Sequence, residues 1–216
     1  MTGHPDGPVD PWSLRDQTEH YLTEDDVLLA ARSTADRLGC DPVGPGAGAG
    51  LRFLAATISA RAVVEIGTGV GVSGLWLLRG MSSDGVLTSI DVNPEHQRVA
   101  RTAFTAAGHG PSRLRLINGM GLDVLPRLTD GGYDLVFVDA QPDDHPRYLD
   151  EAVRLLRPGG IVVLDDAVEP APPAGPDGGQ APATLREAAR QVRGDDRLVP
   201  VLLPLGSGLL AAVKTA

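Results

Sequence analysis

The chain has 216 residues, 42% hydrophobic and 22% charged: enough apolar side chain for one core of ordinary α/β size, and too much for a wholly disordered polymer. Its 28 acidic against 19 basic residues leave a formal charge of -9, which opposes non-specific nucleic-acid binding and attachment to an anionic membrane surface. Cys40 is the only cysteine, which excludes an intramolecular disulfide and a cysteine-based zinc site; Lys214 is the only lysine, at the far C-terminus, which excludes a central lysine base.

The start, MTGHPDGPVDPW, lacks the basic and apolar regions of a signal peptide. No later stretch approaches the roughly 18 consecutive apolar residues of a membrane span, so a cytoplasmic location is expected. Residues 1–22 are expected to be a mobile tail, and 23–216 a single domain. Thr23 with Asp26 forms a cap-like start for a helix through Leu38, and Gly39 supplies its stop. DPVGPGAGAG (41–50) reads as a loop and LRFLAATISA (51–60) as a short helix. From residue 62 strands and helices alternate. The strands are AVVEIG (62–67), VLTSID (86–91), RLRLIN (113–118), YDLVFVDA (133–140) and IVVLDD (161–166). Helices over 72–81, from Pro94, over LDVLPRL and over HPRYLDEAVRLL separate them, which predicts a parallel sheet wound on both faces. EPAPPAGPDGGQAPA (169–183) is a Pro/Gly-rich insertion, either a lid or disordered. The helix TLREAARQVRG follows, then LVPVLLP and LLAAVK around Gly206-Ser207-Gly208, an antiparallel hairpin.

VVEIGTGVGVSG (63–74) carries the functional signal, with Asp91 ending the next strand. Gly67, Gly69 and Gly71 between a strand and a helix let backbone approach a ligand closely. A carboxylate at the end of the second strand can accept hydrogen bonds from both hydroxyls of an adenosine-like ribose. GVGVSG also satisfies the dinucleotide pattern, so an NAD(P)-dependent oxidoreductase stands as an alternative. Glu65 argues for S-adenosylmethionine instead, because a carboxylate there repels pyrophosphate and suits a cationic amino-acid end. The position of Gly67 and the closing hairpin point the same way.

These segments, with TSIDVNPEH, INGMGLDVLPRL and the final GLLAAV, resemble the small class I O-methyltransferases of the catechol and caffeoyl-CoA type, in their bacterial, actinobacterial branch, over roughly residues 20 to 214. The resemblance implies a seven-stranded Rossmann-like methyltransferase sheet, mostly parallel with an antiparallel C-terminal strand, and a homodimer. It implies methyl transfer from S-adenosylmethionine to a hydroxyl of a small, catechol-like acceptor. Glu65, Gly67, Thr68 and Ser73 match contacts to the methionine moiety, together with the backbone of Val43. Asp91 matches the ribose acceptor, and Gly119 and Met120 line the adenine. Asp139 matches a catalytic carboxylate shared by cofactor and metal, and Asp165 and Asp166 complete a site for Mg2+ or another divalent cation.

The chain departs from that pattern where Asp139-Ala140-Gln141-Pro142 replaces a sequence ending in lysine, where Met120 replaces an acidic residue, and where Asp166 replaces Asn. These changes motivate a second alternative, a cofactor-binding or interaction protein on the same scaffold with little turnover. His145 offers a substitute base or a solvated first-turn residue, Tyr148 a wall of the acceptor pocket or a helix face, and Trp76 a core position.

Overall fold

The computed structural model describes residues 16–140, 142–167 and 183–215. Seven strands form one sheet: β1 (Ala62–Ile66), β2 (Val86–Asp91), β3 (Leu114–Asn118), β4 (Tyr133–Val138), β5 (Leu156–Leu164), β6 (Leu198–Leu203) and β7 (Leu209–Lys214), in the order β3-β2-β1-β4-β5-β7-β6. The β1, β2, β3, β4 and β5 pairings are parallel, and β7 enters antiparallel between β5 and β6. The hairpin expected from the C-terminal sequence is therefore what completes the sheet.

Side-chain alternation explains the two layers. On β4, Leu135 and Phe137 join one apolar cluster and Val136 and Val138 the other. The first cluster is covered by α1 (Asp26–Leu38), α2 (Pro45–Thr57), α3 (Val72–Gly80) and α4 (Pro94–Ala106). The second is covered by the short α5 (Gly121–Val124), by α6 (His145–Leu155) and by α7 (Ala183–Gly194). Lys214, the one lysine, is structural: its Nζ donates to the Val153 and Leu156 carbonyls at 2.9 and 2.8 Å, closing the end of α6.

Local chemistry moves several boundaries. Asp25, not Thr23, caps α1 by accepting from the Leu28 N–H at 3.1 Å, while Gly39 ends the helix with φ 67° as expected. The expected loop over 41–50 becomes helical from Pro45, which occupies the first turn of α2. Its glycines serve packing: a Cβ on Gly48 would lie 2.3 Å from the Trp76 ring. Trp76 itself is core, with Nε1 donating to Glu24 at 3.3 Å. β5 begins at Leu156, so the Arg-Pro-Gly-Gly sequence expected to precede it lies within the strand, where the register to β4 shifts.

The tail expected over 1–22 is fixed at its end. Residues 16–19 are helical, and Glu19 accepts from Gly46 N–H at 2.9 Å and from Gly206 N–H at 3.0 Å. Residues 1–15 and the insertion at 169–183, except for Ala183, lie outside the described residues. Among the described residues no helix is long and apolar enough to cross a membrane.

Gly48→Val forces two methyl groups into the indole. It is expected to destabilise the fold by about 1–3 kcal/mol, read as a lower urea midpoint at unchanged slope.

Candidate active site

The site begins with a backbone contact. A Cβ on Gly67 would lie 1.9 Å from the Asp139 carbonyl oxygen, and Gly67 holds φ at 97°. Only glycine permits both. The Asp139 N–H donates to Ile66 O at 2.8 Å, so the carboxyl ends of β1 and β4 are locked where both chains leave the sheet. Beside them, Asp91 Oδ2 accepts from Gly69 N–H at 2.9 Å and Oδ1 from Asn93 N–H at 2.7 Å. Each oxygen keeps a lone pair for a ligand hydroxyl.

These strand ends border a cavity of about 550 Å³. Of the residues expected at the cofactor, Gly67, Thr68, Gly69, Ser73, Asp91, Gly119, Met120 and Asp139 line it. Three do not. Gly71 turns toward α4, where a Cβ would meet Ala100 and Phe104 at 3.1 Å. Val43 is buried one residue beyond the lining segment 40–42, and its carbonyl accepts from Arg32 at 2.8 Å. Glu65 is fully buried behind the wall, accepting from the hydroxyls of Ser73 and Ser89 at 2.6 Å each. Ser73 is the wall residue through which its charge reaches the cavity. Thr68 joins the same network at 2.7 Å from Ser89 Oγ.

The carboxylates titrate abnormally because they are buried together. Burial pushes Glu65 up to about 7, opposed by the Ser73 and Ser89 hydrogen bonds and helped by the Asp91 charge. Asp139 is raised well above the carboxylate range, first by burial, then by Asp165, Asp166, Glu65 and Asp41. Burial likewise lifts Asp165 to about 6. Asp166, with φ 55°, lines the cavity, whereas Asp165 accepts from the Ser207 hydroxyl at 3.1 Å and does not. Among the described residues no group of three or more His, Cys, Asp or Glu side chains converges to hold a metal ion. The aspartates expected as a cation triad are thus neighbours by charge without forming one ligand set.

His145 neither faces water nor lines the cavity. It is 1% exposed, with Nε2 at 3.1 Å from the Ala140 carbonyl and Nδ1 without a partner among the described residues. Tyr148 is buried on α6 and lines the cavity. Sequence reading missed two neighbours of Asp91. His96 Nδ1 lies 3.5 Å from Asp91 Oδ2, and Cys40 Sγ lies 3.2 Å from His96 Nε2. Fifty-six positions separate Cys40 from His96, and no spacing links them.

The model of the O-methyltransferase family matches residues 19–215. The chain belongs to that O-methyltransferase family. A relative from Mycolicibacterium vanbaalenii, named as a candidate O-methyltransferase, is 54% identical over 208 residues, covering 94% of this chain and 90% of its own. A similarly named protein from Mycolicibacterium smegmatis is 54% identical over 197 residues, with 91% and 94% covered. Among solved structures, one from Corynebacterium glutamicum has 32% identity and a TM-score of 0.84, with 95% and 97% covered. The O-methyltransferase TomG from Streptomyces achromogenes, involved in tomaymycin synthesis and crystallised with S-adenosylmethionine, has 28% identity and a TM-score of 0.80, with 94% and 96% covered.

In this O-methyltransferase the buried Glu65 sets a testable pH dependence. The unfolded chain releases its proton near 4.5, and the folded chain holds it until about 7. Glu65 therefore removes stability as pH rises through that window and leaves a constant penalty above it, on the order of 3 kcal/mol. Glu65→Gln is expected to melt higher than wild type at pH 8, with the two curves converging toward pH 4.5.

Proposed function

We propose that this enzyme transfers the methyl group of S-adenosylmethionine to a hydroxyl of a small aromatic, catechol-like acceptor. The observation that carries the reading is a single cavity bordered by the Gly67 turn, by Asp91 with both oxygens able to accept further hydrogen bonds, and by Asp139. The complex of TomG with S-adenosylmethionine supports the donor.

When bound, S-adenosylmethionine supplies a methyl already made electrophilic by its sulfonium. The chain's own residues do the rest by positioning, which can supply several kcal/mol of a methyl-transfer barrier, on the order of 7–11 in well-oriented models. Asp91 accepts from the ribose hydroxyls, and Gly119 and Met120 flank the base. Thr68 and Ser73, backed by Glu65, face the amino-acid end, where a buried negative charge favours the ammonium. Asp139 receives the acceptor's hydroxyl proton, a task helped by burial and neighbouring carboxylates that raise its proton affinity. The oxygen–carbon bond then forms as the sulfur–carbon bond breaks, leaving a neutral thioether. Tyr148 and Ala140 give the wall near Asp139 an apolar face suited to an aromatic ring. No step is assigned to a divalent cation, since the three aspartates do not converge.

Binding of S-adenosylhomocysteine by calorimetry tests the donor site, and no heat at high ligand concentration rejects it. Labelled-methyl transfer over a catechol panel tests turnover, with Mg2+ and EDTA arms to test cation dependence separately. Binding without transfer to any acceptor favours the scaffold-protein alternative instead. Asp139→Asn is expected to lower the transfer rate at least about 100-fold while the chain remains folded.

The proposal extends to a homodimer. Strand β6 ends the sheet and exposes Val199, Val201 and Leu202 at 59%, 48% and 54%, an apolar edge of the kind proteins usually cover. Light scattering is expected to give twice the chain mass, and Val201→Lys to give the monomer.

A further inference from the structure

We infer that Cys40 and His96 are positioning residues for Asp91: together they hold the carboxylate in the pose that receives the ribose, and so help to select a ribosyl donor. The inference deepens the donor reading above and rests on it.

All three side chains line the same cavity although they come from three elements. Cys40 follows the left-handed Gly39 that ends α1, and its N–H donates to Ala35 O at 3.0 Å, which fixes where the thiol sits. His96 stands in the first turn of α4, behind Pro94 and the Asn93 cap. Asp91 ends β2. The imidazole thus spans from the end of a helix to the end of a strand.

The proton positions follow from the chemistry of the three groups. Burial, and then the Asp91 charge, push the Cys40 thiol above its ordinary value, so it keeps its proton. The thiol then donates to His96 Nε2 across 3.2 Å. A neutral imidazole that accepts at Nε2 carries its hydrogen on Nδ1. That N–H faces Asp91 Oδ2 at 3.5 Å, an electrostatic contact beyond hydrogen-bond length that leaves Oδ2 its second lone pair for the ribose. Oδ2 already accepts from Gly69 and Oδ1 from Asn93. The backbone donors therefore set the carboxylate's plane, and the imidazole of His96, held at the start of α4, steadies it electrostatically. The side chains of His96 and Asp91 are only 23% and 9% exposed, so little water competes for this contact.

Two ligands separate this role from that of a plain wall: S-adenosylhomocysteine and its 2′,3′-dideoxy analogue, which lacks both ribose hydroxyls. Affinities are measured by competition in full-length wild type and variants. His96→Ala is expected to weaken S-adenosylhomocysteine about tenfold, the scale of one lost hydrogen bond to a charged group. It is expected to raise KM for the donor with kcat within about twofold, and to leave the dideoxy analogue's affinity unchanged. His96→Asn, whose amide nitrogen stands near the Nδ1 position, is expected to recover most of the loss. Cys40→Val is expected to weaken the parent ligand severalfold, and Cys40→Ser to restore it. Equal weakening of both ligands by His96→Ala overturns the inference, as does no weakening, a His96→Asn chain no better than His96→Ala, or a Cys40→Val chain that binds like wild type. Failure of wild type to bind S-adenosylhomocysteine at all counts against the donor reading itself, which keeps the two tests apart.

Discussion

One backbone contact organises this protein: the turn after β1 presses against the carbonyl of Asp139 at the end of β4. No side chain fits between them, so the position must be glycine. The contact fixes two things at once. It sets the curve of the loop whose next glycine reaches Asp91, and it places the Asp139 carboxyl at the rim of the same cavity. The Asp91 carboxylate and the Asp139 carboxyl are thereby tied to one origin, and movement at either strand end shifts both. Glu65, Asp139 and Asp165 lie buried around that origin, and their proton affinities rise first through burial and then through the negative charge of neighbouring carboxylates.

Much of this was legible in the sequence because it depends on short-range rules. The β1–glycine–α3 turn, Asp91 at a strand end and the closing hairpin each follow from residues within a dozen positions of one another. An unbroken apolar run such as Leu135 to Val138 in β4 reveals a strand buried on both faces, and Gly39 or Pro94 reveal helix ends. The reading failed where a glycine-rich stretch served packing. Residues 45–50 looked like a loop, but Gly48 makes room for the Trp76 ring and Gly50 for Leu205, partners far along the chain.

Site residues were least legible where a side chain acts through another. Glu65 is at the expected place in sequence yet behind the wall, since its two oxygens are taken by serine hydroxyls. Asp165 and Asp166 are adjacent, but the left-handed backbone at Asp166 and the Ser207 hydroxyl at Asp165 send them different ways. Cys40 and His96 left no trace in spacing, because it is the packing of α1 against α4 that brings the end of α1 beside the start of α4. His145 shows the reverse: a polar residue near the site that the fold turns inward, away from the cavity.

Glu19 ties the beginning of the fold to its end. One carboxylate satisfies both the first turn of α2 and the bend between β6 and β7, segments that also pack directly where Gly206 meets Ala47 and Gly50 meets Leu205. A shortened gene product starting after this residue would lose a helix cap and a hairpin latch in a single cut. Glu19 and the bend between β6 and β7 are in this sense one mechanical unit.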